Sequence, residues 1–343
     1  MKLRLLITRR VSHRIAIALA ALLTFDSWIK AASLVSEPVG CIRVTIPPPV
    51  DGVSTRGVLG TPFNRASVYR GVNVSMAVSN GVSTLTCASP GWTAGQFVTE
   101  VHYLKIRSGL NAGRVFQITA NTANSVSVNA GTVSLGSRES LEIFPAQTLG
   151  SLFGTENFPL RTGTSESTAD LVRLHDGSSW VTYFHNGVHW RTRNFETSQD
   201  NTVLRPEQGI IVVCGGSSAV SVNLFGAVSV TPELSALPGS GESLVSNRSP
   251  VPITLSRLNL QSSTGWVAGS TASQADAAMR WNGASWNVYY HTGSHWQMAG
   301  SLASQDDAPI SAGESLLIRR KDGSIRSGTL LSGTAAFSFS PVP

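Results

Sequence analysis

Residues 177–190 read GSSWVTYFHNGVHW, and residues 283–296 read GASWNVYYHTGSHW. The two stretches lie 106 residues apart, and that offset aligns 147–226 with 253–332 without a gap. Between 170 and 200, 12 of 31 positions match their counterparts, so internal duplication organises this half of the chain. Within the first copy, LVRLH (171–175) runs into Asp176-Gly177, SSWVTYFH (178–185) into Asn186-Gly187, and VHWRTRNF (188–195) follows. Asp-Gly and Asn-Gly favour the positive φ of tight hairpin turns, so each copy is predicted to be a three-stranded meander. The second copy turns at Asn282-Gly283 and Thr292-Gly293, and later strands are expected at 210–213 and 316–319.

A two-residue loop at Asn186-Gly187 sets Tyr183 opposite Trp190, and its counterpart sets Tyr289 opposite Trp296. Trp180 and Trp286 then point to the other face of their strands. One face must be core, and the other offers flat rings on which a sugar could stack. The candidate ligand-binding residues are therefore Trp180, Tyr183, Trp190, Trp286, Tyr289 and Trp296. The alternative is that both sets pack inside a sandwich.

His185 and His189 recur as His291 and His295, again four apart. The two-residue loop pairs His185 with Val188 and turns His189 away. A three-residue loop would set the imidazoles opposite one another, the beginning of a zinc or copper site. Ser198-Gln199-Asp200-Asn201 and Ser304-Gln305-Asp306-Asp307 lack the alternating acids of a calcium loop and read as polar turns.

Upstream, residues 37–146 read as a separate β domain, a barrel or a sandwich. VNVSMAV (72–78), Ser79-Asn80-Gly81 and VSTLTCA (82–88) form a hairpin, with further strands at 103–106, 114–120, 125–128 and 140–144. No 3.6-residue apolar period appears after the first 32 residues. The expected organisation is all-β: 37–146, then repeat units at 147–230 and 231–343, with SGLNAGR (108–114) joining strands rather than opening a helix.

Residues 1–32 read as a signal peptide. Lys2, Arg4, Arg9, Arg10 and Arg14 precede an apolar run, Ile15 to Phe25, too short to span a bilayer. Ser12 and His13 stand where a twin-arginine signal wants apolar residues, so general secretion is expected. Six of the 26 Lys and Arg and one of the 20 Asp and Glu lie in 1–32, so the remainder carries 20 bases and 19 acids, a net charge of +1. That balance leaves no field for nucleic-acid binding. No second apolar stretch or anchor helix is expected after the signal. Export permits a disulfide among Cys41, Cys87 and Cys214, with Cys41–Cys87 the expected pairing.

The opening SEPVGCIRVTIP, the segment YLKIRSGLNAGRVFQITANTANSVSV (103–128), the junction LEIFPAQTLGSLFG (141–154) and the tryptophan repeats resemble a paralogous family of uncharacterised exported proteins of Verrucomicrobia-like bacteria. The resemblance covers nearly all of the chain after the signal and implies secretion and β-structure but no activity. Ala146-Gln147 and Cys41 depart from it, standing where aromatics are common. From SLVSNRSPVP (243–252) to the tryptophan hairpins, the chain is similar to β-sandwich accessory modules of Bacteroidetes surface proteins, which serve attachment.

No G-x-S-x-G elbow, H-E-x-x-H or Walker loop occurs. Asp170, Asp276 and Glu207 are available to a glycosidase, but no pattern singles out two of them. The sequence calls for no cofactor. It points to an exported, non-enzymatic binding or attachment protein, extracellular, at the cell surface or in the periplasm, with polysaccharide or cell-surface components as partners. The alternatives are a self-associating structural component of the surface, and an enzyme acting on an extracellular polysaccharide.

Overall fold

A computed structural model describes residues 38–321 and 328–332, apart from 132, 155–158, 177–178, 195, 230, 232, 238–240 and 263–264. The signal reading of 1–32 and the closing residues after 332 lie outside them. The chain is all-β, 47% strand against 6% helix. Among the described residues no helix is long and apolar enough to cross a membrane.

Three strands open the chain: β1 (Val39–Ile46), β2 (Thr55–Leu59) and β3 (Phe63–Asn64). Six more follow: β4 (Tyr69–Ser79), β5 (Val82–Cys87), β6 (His102–Ile106), β7 (Val115–Asn121), β8 (Ser125–Asn129) and β9 (Ser140–Pro145). These close into a barrel in the order β4-β5-β8-β7-β6-β9, which leaves no open edge. Ser79 pairs with Val82, and Asn80 (φ 50°) and Gly81 (φ 78°) make the two-residue turn that Asn-Gly predicts. Alternation along β5 turns Leu85 and Cys87 inward to meet Leu104, Ile118, Val126 and Ile143. A single helical turn, α1 (Gln96–Thr99), sets Phe97 edge-on to Trp92 in the same core.

The first repeat comprises β10 (Gln147–Thr148), α2 (Leu149–Phe153), β11 (Leu171–His175), β12 (Trp180–His185), β13 (Trp190–Arg191), β14 (Val203–Leu204), β15 (Ile210–Cys214) and β16 (Val220–Val228). Thr148 and Ser151 form a reciprocal capping box at the start of α2. The second repeat holds β17 (Glu233–Leu237), β18 (Gly241–Ser246), β19 (Ile253–Thr254), β20 (Ala277–Trp281), β21 (Trp286–His291), β22 (Trp296–Met298), β23 (Pro309–Ile310), β24 (Ser315–Arg320) and β25 (Gly328–Ser332). The five-stranded sheets β13-β12-β11-β15-β2 and β22-β21-β20-β24-β18 have the same order.

Strand pairing cuts across the boundary expected at 146. β1 and β3 flank β16, and β2 completes the first repeat's large sheet. Ile46, Leu59 and Phe63 share a core with Leu149, Val172, Trp190 and Val222. The first unit therefore uses 38–64 as well as 147–228, and the barrel strands lie between its two parts. Leu59 of β2 pairs with Ile210, and Val245 of β18 pairs with Leu316, 106 residues beyond Ile210. At β2 the offset between units is thus 186, against 106 after the barrel, and the 80-residue difference is the barrel. The meander signal could not show this, because β1 to β3 have no counterpart at 106.

The two units meet about a pseudo-two-fold axis. The Gly60 N–H donates to Gly313 O at 2.8 Å, and the equivalent Ser246 N–H donates to Glu207 O at 2.8 Å. Leu59 bridges Glu314 as Val245 bridges Gln208. On the axis each residue faces its own equivalent. A Cβ on Gly60 would lie 2.4 Å from Ser246 Oγ, and one on Gly209 would lie 2.8 Å from Ser315 Cβ. Glycine is what lets the backbones approach there. This is the self-complementary geometry of a symmetric dimer, made within one chain.

A buried ionic junction ties barrel and units together. Glu233 of β17 accepts from Lys105 Nζ of β6 at 3.0 Å and from Arg248 Nε at 2.7 Å, and all three side chains are nearly inaccessible. Burial by itself would raise the Glu233 pKa, but the charges of Arg248 and Lys105 outweigh it and hold the carboxyl far below its usual range.

Candidate functional site

The hairpin register differs from the expected one by two residues. His185, not Tyr183, stands opposite Trp190, and His291 stands opposite Trp296. The loop is Gly187-Val188, with Gly187 at φ 100°. Asn186 belongs before it: its Oδ1 accepts from the N–H groups of Val188 and His189, both at 2.9 Å. Thr292 does the same with its hydroxyl, and Gly293 has φ 104°. The motif thus needs a side-chain acceptor followed by glycine, which both Asn-Gly and Thr-Gly provide.

A two-residue shift preserves face, so Tyr183 and Trp190 remain on one side. That side is the interior. Trp190 and Trp296 are 0% exposed, Tyr183 9% and Tyr289 6%. Trp190 packs on Phe153 and Trp296 on Trp266. The expected stacking role is corrected for these four residues, because no ligand can lie on a ring inside the core. Trp180 and Trp286 take the outer face. Trp286 joins Leu244, Met279, Leu317 and Val288 in an apolar cluster that meets Val58 and Ile211 of the first unit. Trp180 is 38% exposed and lies edge-on to His175.

The histidines serve the turns. The Gly187 N–H donates to His185 Nδ1 at 3.2 Å, and the Gly293 N–H to His291 Nδ1 at 3.1 Å. Burial pushes both rings below the usual imidazole pKa. Asp200 and Asp306 oppose the shift, and His189 and His295 add to it. His189 donates to Glu196 O at 3.0 Å, while His295 meets Ser294 Oγ and Gln297 Nε2. Each pair sits at neighbouring, oppositely facing positions. Among the described residues no three His, Cys, Asp or Glu groups gather as a metal site.

The polar turns act locally too. Asp200 Oδ1 accepts from Trp190 N–H at 2.7 Å, and Asp306 Oδ1 from Trp296 N–H at 2.8 Å. Asp170 is buried, accepting from the N–H groups of Arg161, Gly215 and Gly216. Asp276 accepts from Val267 and Lys321 and pairs with Arg320 at 2.8 Å. Glu207 lies 3.6 Å from Arg205.

The expected Cys41–Cys87 disulfide is corrected: both thiols are free, as is Cys214. Cys41 is exposed on β1, whereas Cys87 faces the barrel core and hydrogen-bonds Tyr69, whose pKa is pushed up to about 12, mainly by burial. Burial raises the Cys87 and Cys214 thiols as well.

Two clefts remain. One of ≈ 490 Å³ lies between barrel and first unit, where Arg65 pairs with Glu100 beside Thr148, Asp200 and Asn201. The other, of ≈ 470 Å³, opens on the first repeat and is lined by Thr164 to Ser167, Phe184, Arg191 and Arg193. Arg191 pairs in register with Phe184, and its guanidinium carbon stands 5.6 Å from that ring's centroid. Sequence reasoning passed over Phe184, Arg191 and Arg193. The alignment of the copies held their signal, since the second repeat has Tyr290, Gln297 and Ala299 there. No family model, curated protein or solved structure matches the chain.

Proposed function

We propose that the protein is an exported, non-catalytic attachment protein that recognises polysaccharide on the outer face of its first repeat. The observation that carries this reading is the exposure of Trp180, at 38%, on a strand whose other face is core. Trp180 and Thr182 face outward along β12, while Phe184, the next residue on that face, is covered at 2% exposure. Trp180 offers a flat apolar surface on which a sugar ring can stack. Two of the three acids a hydrolase would draw on support the non-catalytic side: Asp170 and Asp276 are buried and engaged with backbone N–H groups, while Glu207 pairs with Arg205. A glycan-array titration of the purified chain with Trp180→Ala tests the reading. Saturable binding weakened at least fivefold by W180A is expected; binding indifferent to W180A removes this face from the account.

A second reading, structural self-association, has its own observation. β1 is an eight-residue edge strand, and Val39 (75%) and Phe225 (62%) are exposed beside Cys41. Among the described residues the outer edge of β1 pairs with no strand, and such an edge with apolar side chains is a template for a further strand. Sedimentation of the reduced chain at rising concentration decides it, and a monomer throughout removes the reading.

A further inference from the structure

From the ≈ 470 Å³ cleft on the first repeat we infer that the ligand is an acidic glycan, its sugar carrying a carboxylate or a sulfate ester that Arg191 and Arg193 receive. The inference rests on the polysaccharide reading above and names its substrate class. Thr164, Ser165 and Ser167 bring hydroxyls to the cleft, and Phe184 forms an apolar floor beneath Arg191. Two guanidiniums face one lining carboxylate, Glu166. Glu196 reaches Arg191 at 3.4 Å, but its own side chain is 90% exposed and free to swing into water. Among the described residues Arg193 makes no ion pair, and the Arg191 Nε is buried without a hydrogen-bond partner. A guanidinium fork matches the paired oxygens of a carboxylate or sulfate, and hydroxyl groups complete the recognition of a sugar.

The second repeat supplies the internal control. At the positions of Arg173, Arg191 and Arg193 it has Met279, Gln297 and Ala299. Met279 is covered in the contact between units, and Gln297 receives the Tyr290 hydroxyl at 2.9 Å. The same scaffold therefore folds without these arginines, so they are not requirements of the meander. Of the three, Arg191 and Arg193 line the cleft that opens on the first repeat. The Arg173 Nε is also buried without a partner, and its position beside Thr182 continues the basic strip towards Trp180.

The test is calorimetric titration of the purified chain with oligogalacturonate, with its methyl-esterified neutral counterpart, and with a sulfated dextran oligomer beside neutral dextran. The variant is Arg191→Gln with Arg193→Ala, residues the second repeat already carries at these positions, with thermal melting as the folding check. At least one acidic ligand is expected to bind tenfold or more tightly than its neutral partner, to lose tenfold or more in the double variant, and to weaken with salt. The carboxylate and sulfate arms tell which group is received. Equal binding of charged and neutral forms, or no loss in the folded double variant, overturns the inference. If neutral glycans bind and only Trp180→Ala weakens them, the polysaccharide reading stands and the acidic ligand falls. If no glycan binds, both fall together.

Discussion

The two repeats share a frame and differ in what they turn outward. On the inner face, Val172, Tyr183 and Trp190 have Ala278, Tyr289 and Trp296 as counterparts, all buried. On the outer face, Met279 and Val288 in the second repeat answer to Arg173 and Thr182 in the first. The apolar set is packed against Val58 and Ile211, whereas in the first repeat Arg191 and Arg193 line a cleft. The copies share the interior tyrosine and tryptophan and differ at Arg173 and Thr182 on the outer face. At the interior tyrosine and tryptophan, identity between the copies marks structure; on the outer face Trp180 and Trp286 are also identical but differ in setting, the first 38% exposed and the second in the apolar contact between units.

The severest challenge to this comparison is to remove the shared tryptophans. Trp190→Ala and Trp296→Ala should each cost about 3–5 kcal/mol, the loss of a large ring from a closed core. Thermal unfolding should show equal falls, since both side chains are fully buried. A loss under about 1 kcal/mol for either would mean that its ring lies at a surface, and the equivalence of the inner faces would fail.

A difference in the frame itself comes next. Matching β25 to β16 makes Glu233 the counterpart of Gly40. The second unit thus carries a buried carboxylate where the first has none. Glu233→Gln should destabilise by about 3 kcal/mol, because Lys105 and Arg248 are left buried with their charges uncompensated. Adding Lys105→Met should restore part of the loss. If E233Q melts like the parent, the junction contributes no net stability. Gly40 needs its own lack of a side chain: a Cβ there would stand 2.3 Å from the Phe63 ring.

A smaller effect is expected from the aspartates behind the tryptophans. Asp200→Asn and Asp306→Asn keep an acceptor near the Trp190 and Trp296 N–H groups but lose the charge, at about 1 kcal/mol each. Equal shifts would sharpen the claim that SQD is a structural signature of the repeat. A shift at Asp200 alone would tie it instead to the cleft between barrel and first unit, which it lines.

Much of this organisation was legible. The Asn-Gly and Gly-centred turns gave the meanders and the barrel hairpin, because φ preference acts within a few residues. The strands of the barrel followed from alternation. The discontinuous first unit was not legible: β1 to β3 pair with strands more than 140 residues away, and no local preference encodes such a partner. The hairpin register departs from the expected one because Asn186 acts through its side-chain oxygen and not as a residue of the turn. The exposure of the aromatics was also beyond reach. Tyr183 and Trp180 are equally apolar on paper, and only the placement of α2 and the second unit decides which face is closed.

The finest comparison is between His185 and His291, which titrate in nearly identical settings. Burial holds both below the ordinary imidazole value of 6.5, against the opposing charges of Asp200 and Asp306. The neutral ring is also the one whose Nδ1 accepts from Gly187 or Gly293. The unfolded chain binds the proton more readily, so the stability these rings contribute is complete above pH 6.5. It is lost as pH falls below that value, until the folded rings protonate as well. Melting temperature followed from pH 8 to pH 5 should decline on the acid side. His185→Asn and His291→Asn keep an acceptor and remove the titration, so each should take away a similar share of the decline, and the double variant the most. A double variant with the parent's pH profile would show that the two rings do not drive it. Unequal shares would mean that the neighbours differ: His189, hydrogen-bonded to Glu196 O, against His295, held by Ser294 and Gln297.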